Sequence, residues 1–301
     1  MSHPRIDLLG YVVIPVWYEC NNECLICMLA PVKGKLPSVS FEMFRKVIMR
    51  IVNDGRYRNL ILSGAEVTTF EPLLKYVQFA SSLGWFKKIQ IQTNGRRLSD
   101  RDYLKSLVHA GVNEFFVSIQ GQEEVHDLIS RRPGSYRETL EGIHNLESLR
   151  VNFITNTVLT RLNYHQVADL MAQMCESAAR ELHVWNFFPM QKADTGDLIV
   201  SIKDLLALFS EILPFARASG KPLVLKAFPE CLAIEEPGVL DGRFPMTLIP
   251  DVFWKELRES GFGTCVYRNE CKVKGCWGLS SAYIRKYGDE RDLLSPVRED
   301  G

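Results

Sequence analysis

Six short runs of β-branched and aromatic residues, at 11–16, 59–62, 88–92, 114–117, 153–158 and 182–187, are separated by longer amphipathic stretches, and this alternation limits the chain to very few architectures. The stretches at 41–54, 71–83, 99–110, 135–149 and 165–178 carry apolar residues every three or four positions, the spacing of one helix face. Strands joined through helices lie parallel, and the crossover is right-handed. The pattern therefore predicts an α/β fold, either a doubly wound sheet or an open barrel. A chain of 301 residues buries a substantial core in either arrangement.

Parallel α/β folds bind ligands at the carboxyl ends of their strands, where the loops and helix N-termini converge. The unusual polar clusters of this chain fall directly after its apolar runs. Three cysteines follow the first, Ser63-Gly64-Ala65-Glu66 the second, Thr93-Asn94-Gly95 the third and Ser118-Ile119-Gln120-Gly121 the fourth. One rim of the sheet collects them all.

The first cluster, Cys20-Asn21-Asn22-Glu23-Cys24-Leu25-Ile26-Cys27, spaces its thiols by four and then three residues. Three thiolates are one fewer than a closed iron–sulfur or zinc site requires. A cube-shaped cluster held here keeps one iron for a substrate or cofactor. The plain alternative is three buried cysteines in a strand-end loop, since cysteine is often buried.

Charge narrows the partners. Lys plus Arg equals Asp plus Glu at 36 each, so no global field draws the chain to nucleic acid or to an anionic membrane. No stretch reaches 18 uninterrupted apolar residues and the first residues lack the apolar centre of a signal peptide, so we expect a soluble, cytoplasmic protein. Eight cysteines without an export signal favour metal ligation over disulfides.

The spacing C-x3-C-x2-C resembles that of the radical S-adenosylmethionine (SAM) superfamily. The resemblance implies an α/β fold that is a partial (β/α)6 barrel of parallel strands with a C-terminal cysteine-rich extension. It also implies a [4Fe–4S] cluster on Cys20, Cys24 and Cys27, whose open iron is chelated by the amino and carboxylate groups of SAM. An electron from the cluster then cleaves SAM to methionine and a 5'-deoxyadenosyl radical. Ile26 stands where the family often has an aromatic residue near the adenine. Ser63-Gly64-Ala65-Glu66-Val67-Thr68 is similar to the family's GGEPT segment, with Ala65 replacing a glycine and Val67 a proline. By that likeness Gly64 and Ala65 approach the methionyl group and Glu66 accepts from its ammonium.

Ser118-Ile119-Gln120-Gly121, with His126-Asp127 and Arg131 to Ser135 behind it, resembles the pattern S-x-D-G…H-D…R…G-S, in which the serine and an arginine contact SAM. Gln120 takes the place of the aspartate, and Arg131 falls one residue late because Ser130 holds the expected position. His126 reads more simply as a helix-start residue. Asn156, in Thr155-Asn156-Thr157, is either near the adenosine, as the resemblance implies, or a hydrogen-bonded core group. Phe188-Pro189-Met190 and Gly196 resemble the family's loop near the adenine. Cys175 reads as an inert buried thiol.

Beyond Gly220 the alternation stops, which divides the chain into a core at 1–220 and an extension at 221–301. Cys231, Cys265, Cys271 and Cys276 lie in the extension, the last three at spacings of six and five. Four thiols close a site for zinc or for a second iron–sulfur cluster, and the paired C-x2-C knuckles usual for zinc are missing. The run from Cys265 through Tyr283 to Tyr287-Gly288 is similar to the SPASM and twitch extensions of the same superfamily, which implies one auxiliary [4Fe–4S] cluster.

The function expected is therefore that of a radical SAM oxidoreductase or transformase that abstracts hydrogen from a small metabolite and oxidises or rearranges it. The alternative is a maturase acting on a peptide. Only about ten residues precede the first strand, less than a leader-binding domain needs, which favours the small molecule. The reductant expected is a flavodoxin or ferredoxin. A zinc-ribbon module would not need the open three-thiol loop, and an electron-transfer protein would close its cluster with a fourth cysteine and have no use for Glu66.

Overall fold

All six expected strands form, and all run in one direction. The structure, a computed structural model, describes residues 8–190, 194–233, 236 and 238–298. In chain order the strands are β1 (Tyr11–Trp17), β2 (Asn59–Gly64), β3 (Lys88–Thr93), β4 (Glu114–Ser118), β5 (Asn152–Leu159), β6 (Leu182–Asn186), β7 (Leu223–Lys226) and β8 (Met246–Thr247). Among the described residues they make one parallel sheet in the order β7-β6-β5-β4-β3-β2-β1-β8, curled into a partial barrel.

Two of these strands correct the expectation that the alternation ends at Gly220. After helix α7 (Ile202–Ser219) the chain adds β7 beside β6, then crosses to the opposite edge and adds β8 beside β1. Strands of four and two residues offer too few positions for a two-residue period to show. Pro214 inside α7 reads in the sequence as a helix breaker, although the helix runs through it. The sheet thus continues into the 221–301 segment, and only after β8 does the chain turn to short helices, α8 (Asp251–Glu259) and α9 (Ser281–Tyr287).

The two faces of the strands have different jobs. In β3 and β4 the residues Ile89, Ile91, Phe115 and Val117 point to the helices and are fully or almost fully buried, while Gln90, Gln92, Phe116 and Ser118 line the barrel interior. These two strands can carry glutamines and a serine on the inner face because it borders a cavity and is not filled by packed side chains. The helices α1 (Phe41–Asp54), α2 (Leu73–Ser82), α3 (Arg101–Ala110), α5 (Ser135–Ser148) and α6 (Val167–Glu176) cover the outside. In α1, Ser40 accepts from the Met43 N–H and Gly55 ends the helix at φ 75°, while Phe44, Ile48 and Ile51 form the buried stripe. Each of the fully buried pair Phe44 and Ile48 contributes about 1.5–3 kcal/mol.

Where β1 ends, its register breaks. Pro15 pairs with Ser63 but Trp17 pairs with Gly64, a bulge between Pro15 and Trp17. Proline has no N–H for the ladder, and a bulge is where a central strand tolerates it. The strand is re-aimed there, just before the cysteine loop.

Candidate active site

The loop after β1 is tied down on three sides. The N–H groups of Glu23 and Leu25 donate to the carbonyls of Ser130 and Ile129, at 3.1 and 2.8 Å, at the carboxyl end of α4 (Glu123–Ser130). Arg96, buried and ion-paired with Glu138, donates through Nη1 to the Asn21 carbonyl at 2.6 Å and to Asn22 Oδ1 at 2.8 Å. The Asn94 side chain donates to Asn21 Oδ1 at 2.7 Å. Asn21, Asn22 and Arg96 were not singled out by sequence reasoning, because their partners lie more than 70 positions apart along the chain.

Held this way, Cys20, Cys24 and Cys27 border one interior cavity of about 920 Å³. Burial pushes the Cys20 thiol up to about 11 and the Cys24 thiol to about 12, and raises Cys27 too; for Cys20 and Cys24 neighbouring thiols add to the shift. Such a set does not ionise unaided, but iron binding deprotonates its ligands and cancels their mutual repulsion. The donor chemistry fits an iron–sulfur cluster.

The end of β2 and the loop after it border the same cavity through Ser63, Gly64 and Ala65. The N–H groups of Ala65 and Glu66 donate to the carbonyls of Trp17 and Glu19 at 2.9 and 3.0 Å, so the two strand-end loops are stapled together. Glu66 lies just behind the wall, 1% exposed. Its Oε1 accepts from Thr68 N–H, Thr68 Oγ1 and Thr93 Oγ1, and its Oε2 accepts from the Asn94 N–H at 2.6 Å. Burial raises its pKa against those donors, and Oε2 retains a free lone pair among the described residues.

Ile26, Ser118 and Asn156 also line the cavity. Asn156 is 6% exposed and its Oδ1 has no partner among the described residues, an orphaned acceptor that a ligand's N–H or O–H would satisfy. Phe188 is on the wall as well, whereas Met190 packs in a separate small cluster with Tyr18 and Phe253. Arg131 is not on the wall. It is exposed at the C-cap of α4, where a left-handed φ of 52° turns it away.

His126 is in the first turn of α4, as expected of a helix-start residue, but it is 2% exposed and its Nδ1 accepts from the Gln120 N–H at 3.1 Å. An acceptor nitrogen must be unprotonated, and burial pushes its pKa down from the ordinary 6.5 to about 4. Between these values the unfolded chain binds a proton that the folded one refuses, so stability rises with pH across the window and is lost as pH falls from 6.5 towards 4. Moving from pH 7 to pH 5 should cost about 2 kcal/mol through this residue. Denaturant midpoints of the wild type and His126→Gln measured across that range check it; a pH slope unchanged by the substitution refutes it.

The second set of thiols also converges. Cys231 lies in the short turn Glu230–Ala233 after β7, and Cys265, Cys271 and Cys276 lie between α8 and α9; all four line a small cavity of about 30 Å³. The N–H groups of Glu230 and Gly278 both donate to Cys276 Sγ at 3.3 Å. Burial raises the Cys231 and Cys276 thiols, and the charge of neighbouring thiols adds to the shift. Trp277, next to Cys276, reaches the wall of the large cavity and donates to the Gly242 carbonyl at 2.6 Å. Cys175 borders neither cavity; it is half-buried on α6 with its thiol 3.3 Å from Ser219 Oγ.

All eight cysteines are free thiols. Among the described residues no three His, Cys, Asp or Glu side chains gather as closely as a single metal ion demands. A cube of irons asks less, since each thiolate reaches a different corner.

Comparison with known proteins places this arrangement. The chain is 28% identical to an AdoMet-dependent heme synthase of Methanosarcina barkeri over 59% of its own length and 50% of the relative's. It is 25% identical to the sporulation killing factor maturation protein SkfB of Bacillus subtilis over 53% and 38%. The chain thus spans about half or less of these two curated relatives. Its fold matches that of Streptococcus suis SuiB, solved with the precursor peptide SuiA, at a TM-score of 0.56 and 17% identity, covering 72% of this chain and 48% of that one. The family model described as the radical SAM superfamily matches residues 14–174, which takes in the end of β1, the three cysteines after it, Glu66, and the strand residues Ser118 and Asn156, and the chain belongs to that superfamily.

Proposed function

We propose that this chain is a radical SAM enzyme that takes a hydrogen atom from a substrate held in the barrel cavity and oxidises or rearranges it. The observation that carries this reading is the convergence of three thiols, and no fourth cysteine, on a cavity large enough for a cofactor and a substrate together. Cys20, Cys24 and Cys27 would hold a [4Fe–4S] cluster. The backbone at Gly64 and Ala65 would receive the methionyl end of SAM, with Glu66 accepting from its ammonium. Ile26, Ser118 and the orphaned Asn156 carbonyl would surround the nucleoside. Cluster and SAM, when bound, supply reductive cleavage to methionine and a 5'-deoxyadenosyl radical. The protein's part is to orient the substrate C–H bond and exclude water, which the largely apolar cavity wall favours. Arg131 stays outside this set.

Cys231, Cys265, Cys271 and Cys276 would hold an auxiliary [4Fe–4S] cluster in preference to zinc, supported by the wide set of the thiols and the lack of paired knuckles. A small metabolite is the substrate class we favour. A peptide is the second reading, and the names of SkfB and of SuiB with its precursor peptide favour it. No described helix is long and apolar enough to cross a membrane. Free thiols and two oxidisable clusters suit the reducing cytoplasm, with a flavodoxin or ferredoxin as electron donor. Anaerobic reconstitution tests the proposal. About eight irons per chain and 5'-deoxyadenosine formed from SAM and dithionite are expected; about four irons with bound zinc would remove the second cluster, and no 5'-deoxyadenosine would remove the enzyme.

A further inference from the structure

One charged side chain on the cavity wall has hydrogen-bonding capacity that the protein does not use. Lys226 ends β7, is 4% exposed and borders the same cavity as Cys20, Cys24 and Cys27. Its ammonium donates to the Arg243 carbonyl. Asp241 Oδ2 lies 3.8 Å away, beyond hydrogen-bond reach, and both oxygens of that carboxylate are gripped by the Arg243 guanidinium at 2.9 and 3.1 Å. An ammonium has three protons, so beside that carbonyl, and with Asp241 as its ion-pair partner, two donors make no hydrogen bond shorter than 3.5 Å among the described residues. The other charged groups on the wall are engaged. Arg217 pairs with Glu236, Lys221 donates to the Ser177 and Ala179 carbonyls, Glu114 takes Lys88 and Gln90, and Glu181 takes His183.

The surroundings of Lys226 are aromatic. Its Nζ lies 5.0 Å from the centre of the Phe244 ring, which packs against Trp185 at 5.4 Å and Trp277 at 5.2 Å; all three rings border the cavity. The next residue, Ala227, is buried in the left-handed region at φ 60°, with its carbonyl bonded to Asn186. Alanine rarely adopts that conformation, and such backbone persists where the surroundings over-determine it, often at binding sites.

We propose that Lys226, with the rings of Phe244, Trp185 and Trp277, forms a substrate subsite for a carboxylate carried on an apolar body. This rests on the enzyme reading above, since it names what the cavity accepts. A desolvated ammonium with spare protons is best satisfied by an anionic oxygen. A carboxylate, one unit of charge, matches one ammonium that has Asp241 behind it; a phosphate brings nearly two charges and calls for more donors. The rings accept the apolar part. Burial also lowers the Lys226 pKa to about 8, which an incoming carboxylate would reverse. Small-molecule acids and peptide side-chain or terminal carboxylates share this chemistry.

The test uses the reconstituted full chain with SAM and two probes, 3-phenylpropionate and its neutral amide, titrated by calorimetry. The acid should bind saturably and the amide about tenfold or more weaker. Lys226→Met should weaken the acid by a similar factor and leave the amide unchanged. Equal affinity of acid and amide for the wild type, or no binding of the acid, overturns the proposal without reference to any variant. So does a Lys226→Met chain that binds the acid like the wild type. 5'-Deoxyadenosine formation by the wild type is scored separately: its loss beside selective acid binding defeats the enzyme reading alone, and its presence without acid selectivity defeats the subsite alone. A peptide ending in phenylalanine, compared with its amidated form, separates the two sources of carboxylate.

Discussion

Replacing Cys24 with alanine is expected to abolish 5'-deoxyadenosine formation and to lower the reconstituted iron from about eight to about four per chain. The loop should survive the change, because its shape does not depend on the thiol. The N–H groups on either side of Cys24 are bonded to the end of α4, and Arg96 holds Asn21 and Asn22. The C-terminal thiols border a different cavity and should keep their irons. Iron counts on the variant, with the nucleoside measured by chromatography, give the answer. Cleavage of SAM by a chain lacking this ligand would show that the cofactor sits elsewhere.

Gly64→Ala should be the most damaging single methyl group in the chain. A Cβ there would lie 2.0 Å from the Trp17 carbonyl oxygen and about 3 Å from two more Trp17 backbone atoms, at φ +148°. None of those atoms can rotate away. Relief requires parting the ends of β1 and β2, and with them the bonds from Ala65 to Trp17 and from Glu66 to Glu19. We expect a loss of about 3 kcal/mol or more in chemical denaturation, and poor iron uptake in what remains folded. Gly84→Ala is the control, since Gly84 also has positive φ, +59°, but nothing within 4 Å of its would-be Cβ. That change should cost only about 1–2 kcal/mol. Equal losses at the two sites would mean that backbone conformation, and not the approach of Trp17, decides the outcome.

The parts of the fold that were legible were those written locally. Runs such as Phe153 to Val158 are long enough to display strand character, and Phe44, Ile48 and Ile51 show a helix face directly. The short strands β7 and β8 were missed because few residues define them and their pairing with β6 and β1 is set by distant chain. The site divides in the same way. The cysteines, Gly64 and Ser118 announce themselves by type and spacing. Arg96 and Lys226 do not, since a lone basic residue at or just past a strand end is ordinary until the fold buries it. Arg131 shows the opposite failure: a one-residue displacement in the pattern puts it on the outer side of a helix end.

Strand β8 extends the sheet beyond β1, and at the opposite edge Val239 to Asp241 lies along β7, where the Leu225 N–H donates to the Val239 carbonyl and the Asp241 N–H to the Leu225 carbonyl. A fully closed cylinder would admit guests only through its two ends, and only guests short enough to be swallowed whole. Here the four residues from Gly242 to Pro245 join that segment to β8, so the two edges of the sheet are spanned by irregular chain carrying Phe244 and not by a strand ladder. A span without ladder hydrogen bonds is the least costly place for such a wall to part, since the parallel pairing elsewhere stays intact.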